Sequence, residues 1–567
     1  MRRALRTILT IWRSALALPA VCGFAALALY SRTLAPGLTW AHNGADGGDL
    51  LAAALTSGVP HPPGYPTYQL LLRAALALFG CDPARAGNWL SAGCAAASAA
   101  LIADLIRRGL PQRPWCGLVG FSVALAWAAS PALWSQAVIT EVYTLNALFV
   151  AAILWTLWRW REERKTGRSP GVWLILTGFI FGLGMGNHVS LALLLPGVAA
   201  WLWANRGSDC KWQIANRRLQ TLADVTHQVP GTSKAPGTWW AIFRAVVPAA
   251  LAIAVGLSVY AYLPWAAAGN PPVNWGDPRT LERFWWLVSG EVYQGLAFDV
   301  GWAYLPGRLA AWVADALRQF GGPWAALLAL VGLWRIDRGD HAWWRLTALV
   351  GLAYSAFAVG YKSPDSHVYL IPVWAVATLW LAAGLDYGLH VGDRALQRLR
   401  RGPLMSSAAG ASRPISYALR GLAIALLLML PAFSVLRFWR EMDLSQERAV
   451  QAYLDGVLTT AQPAAIILAA SDGPTFALWY AIYGRGARPD LIPINVNLYA
   501  FGWYRETLAG RHPELLQIVG ESLPLLDQFV LAAAAVRPLY RGEPLNVVLS
   551  GLTEGPAEGP LVRLALP

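Results

Sequence analysis

Two aspartates near the start of the chain are the first side chains that could do chemistry. Asp46 and Asp49 lie three residues apart in the stretch WAHNGADGGDLLAAAL, so a helix beginning here would place both carboxylates on one face. His61 follows in HPPGYP, where three prolines with restricted backbone torsions predict a stiff, non-helical corner. Paired carboxylates beside a rigid corner are suited to accepting a proton from a hydroxyl group.

A structural interpretation of the same residues is also open. Asp46 could cap the N-terminus of a helix, with Asp49 as a first-turn charge that faces the helix dipole. HPPGYP could be only a turn between two helices at a membrane surface. These residues alone do not decide between a catalytic and a structural role.

Further polar side chains fall at the ends of apolar segments, on the same predicted side of the membrane as Asp46. Ionisable groups close to hydrocarbon are unfavourable, so a functional role is the default interpretation for them. Glu141 could instead cap a helix start, and His188 could belong to a satisfied interfacial turn. The candidate substrate-binding residues are His61, Tyr65, Tyr68, Glu141, Tyr143, His188, Lys362, Asp365 and His367.

The composition indicates a polytopic membrane protein. Of the 567 residues, 56% are hydrophobic and 14% are charged, whereas soluble domains carry about 25% charged residues. The 30 tryptophans suit a chain with many water–lipid boundaries. The net charge of +13 does not indicate a nucleic-acid partner, because the basic residues are distributed by membrane side.

Hydropathy predicts about eleven transmembrane helices, counted against the length that crosses about 30 Å of hydrocarbon. Most Lys and Arg residues then fall on one side, which predicts a cytoplasmic N-terminus. Segment 67–80 is too short to span and is expected to lie along the interface. The predicted spans are 16–35, 86–106, 115–133, 142–160, 172–187, 189–204, 241–264, 322–334, 346–361, 367–386 and 415–436.

The chain changes character after residue 436. Residues 1–436 form the predicted transmembrane region, whose first outer loop, 36–85, carries the candidate site. Residues 437–567 read as strand–helix–strand–helix, which predicts a small α/β domain outside the cytoplasm. We expect this domain to select acceptors or shield the site without a catalytic group. A stretch at 405–414 is expected to be a cytoplasmic linker.

The five cysteines show no metal-binding or disulfide pattern, so no zinc site is expected. No Walker loop or GxSxG motif indicates nucleotide or hydrolase chemistry. A divalent cation remains an option, because Asp46, Asp49 and Glu141 could supply oxygen ligands.

Several motifs resemble those of GT-C glycosyltransferases, which are integral-membrane enzymes. DGGDLLAAALTSGVPHPPGYPTY is similar to the D-x-G-E…HPPG-x-P signature of the family that includes a transmembrane protein O-mannosyltransferase. Asp49 stands where that pattern usually has Glu. The later blocks that resemble the family are TEVYTLNALF, GNHVS, YLPWAAAGNPPVNWGDP, SPDSHVYLIP and DGPTFALWYA.

The resemblance implies transfer of a sugar, with mannose as a candidate, from a polyprenyl-phosphate carrier to an acceptor hydroxyl such as protein Ser or Thr. We expect an inverting enzyme that needs no cofactor and lies in a bacterial inner membrane, with residues 437–567 in the periplasm. Asp46 is the expected base, Asp49 its neighbour that orients it or raises its pKa, and Lys362, His367 and His61 the phosphate ligands. A flippase of lipid-linked glycans, or a transferase acting on a lipid or polysaccharide, is the alternative.

Overall fold

The computed structural model describes residues 17–111, 113, 115–166, 171–205, 238–401 and 412–567. The basic N-terminal stretch and most of the predicted linker at 405–414 lie outside these described residues. The described part of the chain is mostly helical, as its apolar runs predict.

Helices dominate residues 17–442. In chain order they are α1 (Ala17–Thr33), α2 (Asp46–Thr56), α3 (Pro66–Phe79), α4 (Pro83–Gly109), α5 (Cys116–Ala128), α6 (Pro131–Ala137), α7 (Tyr143–Lys165), α8 (Gly171–Met185), α9 (Leu195–Asn205), α10 (Thr238–Leu257), α11 (Tyr262–Ala268), α12 (Leu281–Val288), α13 (Glu291–Gln294), α14 (Leu305–Gln319), α15 (Pro323–Gly339), α16 (His341–Gly360), α17 (Ile371–Arg401) and α18 (Ser412–Met442).

Fewer helices than predicted are individually long and apolar enough to cross a membrane. Among the described residues there are five such stretches, or six if one bent pair counts as a span. Several other predicted spans correspond to shorter apolar helices, such as α1 and α8. The five stretches are Pro83–Gly109, Val247–Ala268, His341–Gly360, Ser366–Arg398 and Gly421–Met442.

The bent pair explains one difference between hydropathy and structure. The predicted span 115–133 is divided between α5 and α6, which meet at an angle of 64°. Pro131 opens α6, and a proline at the first helical position favours a new helix start over continuation of the preceding helix. Hydropathy averages across such a break and therefore does not detect it.

Residues 449–565 contain helices and one mixed sheet. The helices are α19 (Ala449–Thr460), α20 (Asp472–Leu478), α21 (Gly502–Arg511), α22 (Leu516–Val519) and α23 (Leu526–Val536). The strands are β1 (Ile466–Ala469), β2 (Ile492–Asn495), β3 (Leu539–Arg541), β4 (Thr553–Glu558) and β5 (Leu561–Ala565). The sheet order is β2-β1-β3-β5-β4.

The order β1, α20, β2, α21 matches the strand–helix–strand–helix pattern of the sequence. β1 pairs in parallel with β2 and β3, and β5 pairs antiparallel with β3 and β4. β1 is a central strand and is buried along its whole length, and β2, at the edge of the sheet, is equally buried.

One apolar core joins this sheet to the first outer loop. Ala52 and Ala53 of α2 belong to the same buried cluster as Trp275, Phe476 and Ile466. The C-terminal region is therefore packed directly on the helix that carries Asp46 and Asp49.

Candidate active site

The HPPGYP corner brings His61 and Tyr65 between α2 and α3. Gly64 has φ +86°, and a Cβ there would lie 2.9 Å from a methyl carbon of Leu263, so both torsion and space favour glycine. Tyr65 also has positive φ, a strained conformation for a non-glycine residue. Pro66 then opens α3. The corner is non-helical, as its sequence predicts.

Asp49 is completely buried and both of its oxygens accept hydrogen bonds. Its Oδ2 accepts from the backbone N–H of His61 at 2.8 Å and lies 2.7 Å from the ring Nδ1 of His61. Its Oδ1 accepts from the indole N–H of Trp275 at 3.1 Å. Because an ionised carboxylate only accepts hydrogen bonds, Nδ1 of His61 carries a proton.

The opposite edge of the His61 ring, which carries Nε2, points to Asp46 and Tyr65. His61 Nε2 lies 3.5 Å from Asp46 Oδ2 and 3.0 Å from the Tyr65 hydroxyl. In contrast to Asp49, Asp46 keeps 31% of its side chain exposed. The two aspartates therefore bracket one imidazole, with Asp49 behind it and Asp46 at the accessible side.

The surroundings raise the pKa values of both Asp46 and His61. Burial in the recess raises the pKa of Asp46 to about 6, although the charge of His61 opposes the shift. Burial lowers the pKa of His61, but Asp46 and the hydrogen bond to Asp49 outweigh it and raise that pKa to about 9. At neutral pH the pair is an imidazolium facing a carboxylate.

Helix capping does not account for Asp46. The N-cap of α2 is Ala45, and no side chain makes a cap hydrogen bond there. The structural interpretation fits His188 better, since its Nδ1 accepts the backbone N–H of Ser190 at 3.1 Å. Glu141 makes a similar local contact, accepting the Val142 N–H at 3.2 Å.

His188 is neutral and surrounded by aromatic rings. Burial lowers the pKa of His188 to about 4, with the charge of His61 adding to the effect. Since Nδ1 accepts a hydrogen bond, the ring proton is on Nε2. The ring centroid lies 6.0, 5.7 and 5.6 Å from those of Tyr65, Tyr143 and Tyr369.

Glu141 and Tyr68 are more completely buried than Asp46. Glu141 is 1% exposed, and burial followed by the charge of Asp46 raises its pKa well above the ordinary value. Its Oε1 and the Tyr68 hydroxyl are both buried without a hydrogen-bond partner among the described residues. Such atoms are commonly satisfied by ordered water.

The turn between α16 and α17 carries three of the candidate residues, Lys362, Asp365 and His367. The carboxylate of Asp365 accepts a hydrogen bond from the Ser363 hydroxyl, and its charge adds to the raised pKa of Asp46 after burial and the charges of Asp472 and Asp49. Lys362 instead pairs with Asp299 at 2.7 Å, and its side chain is largely exposed. His367 is also exposed. No contact in the described part of the chain joins Lys362 or His367 to His61, so their predicted phosphate-binding role stays a prediction.

Two aromatic residues of the cluster, Trp275 and Phe476, were not predicted from the sequence. Trp275 lies in the second predicted outer loop, residues 265–321, called the second outer loop below, and Phe476 lies in α20. The Phe476 ring stacks on His61 with an interplanar angle of 11°. The signal for Trp275 was its place in the NPPVNWGDP block, but nothing local in that block indicates a carboxylate partner.

Within the described residues, no three His, Cys, Asp or Glu side chains come together as a metal-ligand set. Asp49, one of three oxygen donors suggested for a cation, uses both oxygens for His61 and Trp275. Asp46 and Glu141 retain free oxygen atoms, and the metal dependence stays a prediction.

Sequence comparisons agree with the resemblance seen in the motifs. The family described as Protein O-mannosyl-transferase TMEM260 N-terminal domain matches residues 46–211. Protein O-mannosyl-transferase TMEM260 of Mus musculus is 24% identical over 511 residues, covering 88% of this chain and 66% of that protein. Its counterpart in Dictyostelium discoideum is 25% identical over 319 residues, covering 54% and 34%. The chain thus spans just under two thirds and about one third of these relatives.

Two solved structures have a fold similar to that of this chain. ArnT from Cupriavidus metallidurans bound to undecaprenyl phosphate aligns with TM-score 0.52 at 12% identity, covering 98% of both chains. The apo state of ArnT aligns with TM-score 0.58 at the same identity, covering 96% of this chain and 98% of that one. Together the comparisons confirm the predicted resemblance and agree with the predicted class of glycosyltransferase.

Proposed function

We propose that this chain, a relative of the GT-C membrane glycosyltransferases and of the TMEM260 protein O-mannosyl-transferases, transfers a sugar from a polyprenyl-phosphate carrier to an acceptor hydroxyl. The names of the relatives favour mannose as the sugar and a protein Ser or Thr as the acceptor. The solved complex of ArnT with undecaprenyl phosphate favours a polyprenyl phosphate as the carrier.

The observation that carries this proposal is the environment of Asp46. Its carboxylate is partly exposed in a recess whose walls come from the first outer loop and α20, and its only ion pair among the described residues is with His61. A raised pKa near 6 leaves Asp46 ionised at neutral pH yet basic enough to accept a proton.

We propose that the transfer is an inverting displacement. The acceptor oxygen attacks the anomeric carbon while the bond from that carbon to the phosphate oxygen breaks. Asp46 takes the acceptor proton, and the carrier leaves as polyprenyl phosphate. We propose that the positive charge of the His61 imidazolium stabilises the departing phosphate.

The membrane arrangement is part of the proposal. We propose eleven spans, a cytoplasmic N-terminus, and residues 437–567 on the extracytoplasmic side of a bacterial plasma membrane. The distribution of Lys and Arg along the sequence supports this orientation. The candidate site then faces the side on which lipid-linked sugars meet their acceptors.

Asp46→Asn tests the proposed base. Asparagine keeps the shape of the side chain but does not accept a proton at neutral pH, so transfer of radiolabelled sugar should fall about 10²–10⁴-fold while donor binding persists. The matched control is Asp527→Asn, which changes an exposed aspartate in the first turn of α23 and should leave transfer unchanged.

The fate of the label separates the alternatives. Label entering protein supports the proposed acceptor, and label entering lipid or polymer redirects it. Near-native transfer by Asp46→Asn would falsify the assignment of the base. Movement of intact donor across the membrane without any transfer would favour the flippase alternative.

A further inference from the structure

The second outer loop reaches the candidate site through its backbone. The N–H of Val59 donates to the carbonyl of Val273 at 2.9 Å, and the N–H of Trp275 donates to the carbonyl of Val59 at 3.1 Å. These bonds form a short parallel bridge between residues 59 and 274. The second outer loop is therefore hydrogen-bonded in a fixed alignment to the segment that leads into His61.

This pairing of the two segments places the indole of Trp275 against the buried carboxylate of Asp49. Trp275 is 5% exposed, and its N–H is the sole donor to Asp49 Oδ1 among the described residues. The other oxygen of Asp49 serves His61 through two contacts. A buried carboxylate oxygen without a donor is strongly unfavourable, so loss of this indole N–H would drive Asp49 to another orientation.

The Trp275 ring also belongs to the aromatic contacts of the C-terminal region. Its centroid lies 5.7 Å from that of Trp503 and 6.3 Å from those of Trp479 and Phe476. Arg283 of the same loop pairs with Glu506 of α21. One side chain thus contacts both the C-terminal region and the carboxylate behind His61.

We propose that Trp275 is a positioning residue, whose indole N–H fixes Asp49 in the orientation that holds the His61 ring against Asp46. The Trp275 ring also lies edge-on to the His61 ring, with centroids 6.2 Å apart. The inference deepens the proposed function, because the ring it positions faces the proposed base. It identifies the second outer loop as part of the catalytic unit.

The test removes the N–H and keeps the shape. In the full chain in lipid nanodiscs, the Trp275 indole is replaced by benzothiophene, which has the same outline but no N–H, through an unnatural amino acid. Trp275→Phe is the genetic counterpart. Trp286→Phe is the matched control, since Trp286 packs on Trp503 and Phe501 but has no bond to Asp49.

The readout is the pH dependence with which His61 reacts with diethyl pyrocarbonate, measured by peptide mass spectrometry. The reagent modifies only the unprotonated ring, so the midpoint reports the pKa of His61. If Asp49 loses its orientation, that midpoint should fall by about one pH unit, equivalent to about tenfold faster modification at pH 7. Greater access alone would raise the rate at every pH and leave the midpoint unchanged.

The control Trp286→Phe should keep the native midpoint. In an Asp49→Asn background, the benzothiophene replacement should produce no further shift, because the two changes act on one contact. An unchanged or raised midpoint in the benzothiophene variant overturns the proposal. No donor or acceptor is present in this measurement, so its outcome is independent of whether the chain transfers a sugar.

Discussion

At the residue scale, the same amino acid serves two purposes within one helical turn. Asp46 is 31% exposed and faces the accessible side of His61, whereas Asp49 is fully buried with both oxygens bonded. Two carboxylates in contrasting environments commonly divide the work of a site, with one reacting and one holding its partner. We propose the first task for Asp46 and the second for Asp49.

The opposed charges predict a bell-shaped pH dependence of sugar transfer. Asp46 must be ionised to act as a base, so the rate should rise as pH passes its pKa of about 6. The His61 imidazolium loses its proton near pH 9, so the rate should fall there. Initial rates of transfer measured between pH 4.5 and 10 check both limbs. A flat profile between pH 5 and 7 would contradict the role of Asp46.

Glu141 should behave as a neutral hydrogen-bonding group. It is 1% exposed, and burial followed by the charge of Asp46 raises its pKa well above the ordinary value, which favours the protonated form. Glu141→Gln replaces one neutral group by another of similar size, and transfer at pH 7 should change by less than about threefold.

Glu141→Leu is the matched comparison, because it removes both carboxyl oxygens, whereas Glu141→Gln keeps a polar group of similar size. Initial rates of the two variants are compared at fixed donor concentration. A loss of more than about 10²-fold in Glu141→Gln would mean that an ionised carboxylate is needed there, and Glu141 would replace Asp46 as the proposed base.

At the element scale, local sequence predicted the corner and its flanking helices well. Prolines and glycine define HPPGYP by restricting torsions, and α3 begins at Pro66 and ends at Phe79, close to the predicted 67–80. The acids of α2 are correctly placed in its first turn. These are short-range features, because each depends on residues within a few positions of one another.

Long-range partners could not be predicted in the same way. Trp275 and Asp49 are 226 residues apart, and no periodicity in either segment connects them. Trp479 and Tyr480 of the C-terminal region are both 2% exposed and pack in buried clusters with residues of the first outer loop. Pairing between distant segments depends on the tertiary fold and leaves no mark on a single sequence.

The crossing of α2 and α20 predicts an effect of Gly48→Ala. A Cβ at Gly48 would lie 2.5 Å from the backbone carbonyl oxygen of Phe476, and a backbone atom cannot move aside as a side-chain end can. Separating the helices should destabilise the fold by about 1–3 kcal/mol. Thermal unfolding in detergent, followed by tryptophan fluorescence, measures the change.

Gly93→Ala is the control for that measurement. Gly93 also lies within a helix, α4, but its Cβ would meet nothing within 4 Å. Alanine favours the helical state over glycine by about 0.5–1 kcal/mol, so this variant should be as stable as the native chain or slightly more stable. Equal effects of the two substitutions would show that the α2–α20 contact is not a constraint.

At the scale of the whole molecule, the C-terminal region is a wall of the site. The sequence led us to expect that residues 437–567 only shield the site or select acceptors, without a catalytic group. The shared apolar core of α2, the second outer loop and the sheet leads to a different expectation. Exposing Ala52, Ala53 and Trp275 to water removes a large apolar contact.

Deletion of residues 440–567 should therefore abolish donor binding and destabilise the remainder. The measurements are donor binding by scintillation proximity and resistance to limited proteolysis, with the full-length Asp46→Asn protein as a control that is inactive but folded. A deletion protein that resists proteolysis and binds donor as the full chain does would show instead that the region is accessory.

The stacking of Phe476 on His61 has a consequence for biogenesis. Ribosomes add about 5–20 residues per second, so Phe476 emerges roughly 20–90 seconds after Asp49 has been made. During that interval the apolar face of α2 is not yet covered by α20, and for the first part of the interval Trp275 has not been made either. The nascent chain carries its acids early but gains a working site only when translation is nearly complete. Prematurely terminated products would therefore be inert and, with that face uncovered, natural substrates for membrane quality-control proteases.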